Sequence, residues 1–96
     1  MRPQASAFGY DAFETIHEKA AALLHGLARN HPFLDGNKRT AWVATATFYL
    51  LNGYHVARAE QGDIVSLVVD TAEGQIDVST IAATLKVWAI EIDLLS

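Results

Sequence analysis

From Ala41 to Leu51 the chain reads AWVATATFYLL, with every position apolar or threonine. Gly53 lies two residues beyond this run and suits the left-handed position that follows a helix, so a helix is expected from about Asn37 to Asn52. Such a helix is apolar on most of its sides and belongs at the centre of a bundle, with the rest of the chain wrapped around it.

The flanking segments supply partners of the same kind. Phe13, Ile16, Ala20, Leu23, Leu24 and Leu27 recur at helical spacing, with Glu14, His17, Glu18, Lys19 and His25 falling mostly elsewhere, which predicts an amphipathic helix ending near Arg29. Pro32 disfavours helical geometry at His31, and Asp35-Gly36 is a turn signal, so HPFLDG reads as a short connection. Tyr54-His55-Val56 reads as a short extended piece. Asp63 to Ala72 suits a strand or a helix and is taken as a helix, because a lone strand there would lack a partner. A last helix starts near Asp77 or Ser79 and sets Ile81, Leu85, Trp88 and Ile92 along one stripe.

The whole chain agrees with this reading. Its 96 residues make one domain, since two independent cores would each approach the size that needs disulfides or metals. A content of 51% hydrophobic and 19% charged residues is too apolar for disorder, and the apolar runs are interrupted too often for a membrane span. Ala, Leu, Ile and Val dominate while Gly and Pro are scarce, which favours an all-α fold over a sandwich of many turns. There is no cysteine, hence no disulfide and no thiolate metal site, and the N-terminal MRPQASAFGY has neither the pattern of a signal peptide nor that of a lipidation signal. A cytoplasmic location is expected. The net charge of −4 argues against general binding to nucleic acid, which needs an excess of Lys and Arg on at least one face. The few cations must act locally.

Two of them, Lys38 and Arg39, are adjacent in HPFLDGNKRT, residues 31–40, beside a histidine, an aspartate and an asparagine. The start of a helix exposes unpaired N–H groups and the positive end of the macrodipole, so Lys38 and Arg39 there cost roughly 0.3–1 kcal/mol each. An anion, most plausibly phosphate, removes that conflict, with Asn37 and both cations converging on it. Asp35 beside an anion is repulsive unless a cation such as Mg²⁺ lies between them, which makes Asp35 the candidate metal ligand. His31 can be neutral near pH 7 and accept a proton from an attacking hydroxyl. Phe33 reads as an apolar anchor. Taken singly, each residue has a plainer reading: a solvated loop histidine, a turn or cap aspartate, a solvated charge pair. The spacing of the set points to metal-assisted transfer of a phosphorus group. The segment is not a Walker A loop, for it lacks the earlier glycine and no strand enters it. His17, His25 and His55 have no metal-ligand spacing and read as structural or exposed.

HPFLDGNKRTA resembles the HxFx(D/E)GN signature of the Fic/Doc superfamily, and its Doc branch in particular, where lysine follows the asparagine. The similarity extends through AAALLHGLARNHPF, FYLLNGYHV and GQIDVSTIAATL, and so over essentially the whole chain. It implies a single Fic/Doc domain over residues 1–96, a Fic-type helical bundle with the motif of residues 31–39 spanning a loop and a helix start. Family members usually carry one or two helices before the segment matching Arg2-Pro3-Gln4. These are expected to be lacking here, with residues 1–10, chiefly Ala5 to Tyr10, the remnant of a flap that aligns the target peptide. Apolar surface left open that way implies a homo-oligomer or a bound partner.

In Fic proteins a glycine follows the asparagine, a second arginine comes three residues after the first, and AMP is transferred from ATP to a target hydroxyl. Lys38 and Trp42 occupy those positions here. Both differences point to Doc, whose members resemble kinases of inverted orientation that move the γ-phosphate of ATP to elongation factor Tu and stop translation. The resemblance implies His31 as general base, Asp35 as the Mg²⁺ ligand, Gly36 as the close approach to phosphate, and Asn37, Lys38 and Arg39 as holders of the nucleotide phosphates. It also implies a toxin–antitoxin pair, the antitoxin having a disordered C-terminal segment. Two alternatives stand beside it: AMP transfer of the Fic kind, and a catalytically inactive truncated binding module.

Overall fold

A computed structural model of the chain describes residues 15–30 and 35–92. Those residues form four helices and a minimal two-stranded sheet: α1 (Ile16–Asn30), α2 (Asp35–Leu51), β1 (Tyr54–His55), α3 (Gln61–Ala72), α4 (Val78–Trp88) and β2 (Ile90–Glu91). The fold is all-α, as the composition and spacing predict. No helix among the described residues is long and apolar enough to cross a membrane. Residues 1–10, Phe13, His31 and Phe33 lie outside the described residues.

α1 starts later than Phe13 because a reciprocal capping box opens it. The Glu18 backbone N–H donates to Thr15 Oγ1 at 3.0 Å, and the Thr15 backbone N–H donates to Glu18 Oε1 at 3.1 Å. α1 is also the hub of the bundle, for it packs against α2, α3 and α4 alike. Ala20, Ala21, Leu24 and Ala28 are its buried residues, and three alanines among them let neighbouring helices approach closely on several sides.

The central position expected for α2 therefore falls to α1. α2 buries Ala41, Thr45 and Tyr49 on one face, while Val43, Leu50 and Leu51 on the other are each more than half exposed. An apolar run shows only that a helix has more apolar surface than a solvated face needs. Which helix is enclosed depends on how near its neighbours can come, and the small side chains of α1 decide that. Thr45, buried in the apolar face of α2, satisfies its hydroxyl by donating to the Ala41 carbonyl at 2.8 Å.

α2 ends as expected, with Gly53 in the left-handed region at φ +85° and its N–H donating to the Leu50 carbonyl. α3 is helical, two residues longer at its start than Asp63. It closes in a Schellman arrangement: Gly74 takes φ +77°, its N–H reaches the Thr71 carbonyl, and the Gln75 N–H reaches the Asp70 carbonyl. Asp77 caps α4, its carboxylate accepting from the Thr80 N–H at 2.9 Å, and that bond holds the Asp77 carboxyl below the usual carboxylate range. Ile81, Leu85 and Trp88 are buried on the expected stripe. Ile92 leaves it, because the backbone becomes extended at Ala89 and β2 pairs antiparallel with β1, Tyr54 opposite Glu91 and His55 opposite Ile90. The Ile92 N–H then donates to the Gly53 carbonyl at 2.8 Å. The short extended piece after α2 thus finds its partner at the far end of the chain.

Candidate active site

The first turn of α2 is made by Asp35, Gly36 and Asn37, so their backbone N–H groups have no intrahelical acceptor and form the positive end of the helix dipole. Lys38 follows, half-buried, and Arg39 is exposed. The connection expected over HPFLDG is shorter than its sequence suggests, since Asp35 and Gly36 already belong to the helix. His31 precedes α2 outside the described residues, and the side chains of Asp35, Gly36 and Asn37 are likewise not among those described.

Lys38, Arg39 and Trp42 recur at the three- and four-residue spacing of one helix side. They line a cleft of about 410 Å³. Its other wall is α3, through Gln61 and the apolar residues Ile64, Val65, Val68 and Val69. Trp42 stands edge-on to Trp88, with ring centroids 6.1 Å apart and planes at 80°, so the C-terminal end of α4 backs the indole from behind the cleft. The result is a groove with two cations and an indole along the α2 side and a largely apolar, aliphatic surface along the α3 side. That chemistry suits a ligand with an anionic part and a flat apolar part.

The α3 wall was not singled out by the motif. A signal for it exists in the sequence: Ile64, Val68 and Thr71 form the stripe that faces the core, and Val65 with Val69 forms a second apolar pair, four residues apart, that the core does not require. Val65 is 55% exposed.

A second cleft, of about 480 Å³ and more open, lies between α1 and the α3–α4 turn and includes His25, Arg29, Asp77 and Thr80. Neither Lys38 nor Arg39 lines it. His17, expected to be structural or exposed, is structural: its Nδ1 is 2.9 Å from the Tyr49 hydroxyl, and its ring also packs against that of Tyr54. Burial, with the nearby Lys86 ammonium, lowers its basicity, and burial raises the Tyr49 phenol well above the ordinary tyrosine range. His55 is exposed on β1. Among the described residues no three His, Asp or Glu side chains come together as a set that would hold a metal ion.

Comparison with known proteins places the motif in context. The model of the Fic/DOC family matches residues 1–49, which take in the whole of HPFLDGNKRT and most of α2. The chain is 46% identical over 89 residues to a protein of Mycolicibacterium smegmatis named Toxin Doc, covering 92% of this chain and 68% of that one. It is 36% identical over 77 residues to a protein of Escherichia phage P1 named Protein kinase doc, covering 80% of this chain and 60% of the relative. The chain thus spans between three fifths and just over two thirds of the length of these relatives.

Proposed function

The chain belongs to the Fic/DOC family, and from that premise we propose that it is a Doc-type toxin, a protein kinase that moves the γ-phosphate of ATP to a hydroxyl of a translation factor, elongation factor Tu. The observation that carries the reading is the cleft at the head of α2, where Lys38 and Arg39 sit on the side that Trp42 and α3 complete. Two cations at a helix N-terminus suit a polyphosphate, and the apolar wall suits a purine.

In this reading the hydroxyl oxygen of the target attacks the γ-phosphorus while His31 takes the hydroxyl proton. The bond from the γ-phosphorus to the bridging oxygen breaks and ADP leaves. Asn37, Lys38, Arg39 and the main chain at Gly36 hold the phosphates in line. Asp35 fits a magnesium ion by its chemistry, since Mg²⁺ takes one or two protein carboxylates and completes its shell with phosphate oxygens and water. Bound there, the ion would neutralise charge between Asp35 and the phosphates. Lys38 and Trp42 stand where AMP-transferring members have a glycine and their second arginine, so one cation moves from position 42 to position 38 beside Asn37, a change that favours γ-transfer over α-transfer. The partner such a toxin implies is an antitoxin whose disordered C-terminal segment folds on binding.

ATP labelled separately on the α- and γ-phosphates, given with Mg²⁺ and elongation factor Tu, tests the proposal. The expected result is γ-label alone retained on the factor. Retention of α-label would make the chain an AMP transferase, and no label from folded protein would make it a binding module.

A further inference from the structure

Among the described residues that line the cleft between α2 and α3, Gln61 alone carries a carboxamide. It is the first residue of α3. The Arg58 N–H, three residues earlier, donates to the Trp88 carbonyl at 3.3 Å, and Trp88 packs edge-on against Trp42. α3 therefore starts at the Trp42 end of the groove. Lys38 and Arg39 precede Trp42 by about one helical turn, roughly 5 Å of rise, so the cations and the carboxamide belong to different parts of the same cleft.

A nucleoside triphosphate with its phosphates on Lys38 and Arg39 directs its base toward Trp42 and the start of α3. The indole and the aliphatic side chains of Ile64 and Val65 suit the faces of a base. Its edge needs hydrogen bonds instead, and a carboxamide offers a donor and an acceptor together. We propose that Gln61 is a specificity-determining residue that holds the edge of adenine, its amide NH₂ donating to N1 and its amide oxygen accepting from the 6-amino group. This rests on the function proposed above for the presence of a nucleotide in the cleft. A glutamate at the same place has no donor. Its carboxylate would face the lone pair of adenine N1, yet it would match guanine, whose N1–H and 2-amino group both donate.

A carboxamide can turn end for end to meet guanine O6 and N1–H, so in the wild-type chain the informative change is loss of the 6-amino group. Equilibrium dialysis of the full chain with Mg²⁺ and without a protein target compares ATP with purine riboside triphosphate, which lacks that group. The wild type is expected to bind ATP about fivefold or more tightly than the analogue, in keeping with a bidentate contact between glutamine and adenine. In Gln61→Leu the two should bind within about twofold of each other. Gln61→Glu should shift the ratio of GTP to ATP affinity about tenfold or more toward GTP. Circular dichroism shows that both variants are folded. The same preference for ATP over the analogue in the wild type and Gln61→Leu, or a GTP to ATP ratio unchanged in Gln61→Glu, would overturn the proposal. If γ-phosphate is transferred while these ratios ignore Gln61, this inference alone falls. If the ratios follow Gln61 and no phosphate is transferred, the kinase reading falls and this one stands. A wild-type chain that binds none of the three nucleotides overturns both.

Discussion

Tyr49 is fully buried, and its hydroxyl meets the imidazole of His17 at 2.9 Å. The phenol keeps its proton and can take either role in this bond: the Tyr49 O–H donates to a bare Nδ1, or its oxygen accepts from Nδ1–H in the other tautomer. Protonation of His17 would put a proton on both ring nitrogens and leave Tyr49 only the accepting role. It would also place a new charge beside the Lys86 ammonium, among the rings of Tyr49 and Tyr54 from α2 and β1, with Glu18 on its own helix as the nearby carboxylate in sequence. Because the folded state lowers the histidine pKa, the unfolded chain binds the extra proton first. The stability this contributes is complete above the unfolded value of about 6.5 and is lost as the pH falls below it. We expect Tm to decline between pH 7 and about pH 5.5, and His17→Gln, which can still accept from Tyr49 but does not titrate, to flatten that slope. An identical slope in the variant would assign the pH dependence elsewhere. The pairing was not visible in sequence because His17 and Tyr49 are 32 residues apart, and only the packing of α1 on α2 brings them together.

Individual elements were legible where a local signal is complete and misleading where it is partial. Gly53 and Asp77 act as end and start signals because their chemistry, a left-handed φ and a short carboxylate, works within a few residues of chain. The Thr15-x-x-Glu18 box is of the same kind and sets the start of α1 at Ile16, although the apolar pattern runs back to Phe13. Removing its hydroxyl with Thr15→Ala should cost about 1 kcal/mol, or roughly 4–8 °C in Tm for a domain of this size, while Thr15→Ser should be close to silent. A thermal melt of the two variants checks this, and an unchanged Tm in Thr15→Ala would show that the box adds nothing to α1. Two features could not be read from one element alone. Ile92 fits the stripe of α4 by spacing, yet pairing of β2 with β1 takes the chain out of the helix first. The exposed outer face of α2 likewise depends on the alanines of another helix.

Across the whole molecule, the candidate site divides along the same line. The cationic half was legible because Asp35, Gly36, Asn37, Lys38 and Arg39 are consecutive, and their chemistry conflicts with a bare helix start. The apolar half was not, since Ile64, Val65, Val68 and Val69 reach the cleft only through the packing of α3 against α2. α1 is enclosed by three helices, and in the function proposed above the residue that follows its last turn in sequence, His31, is the general base while α2 opens with the phosphate site. The proposed function requires His31 to act in the transfer reaction rather than in the fold. Transfer of γ-label from ATP to elongation factor Tu, measured for His31→Ala beside the wild type and with Tm recorded for both, tests this most directly. The expected result is a fall in rate of about 10²–10⁴-fold at an unchanged Tm, the range expected for loss of a general base. A variant as fast as the wild type at equal stability would contradict it.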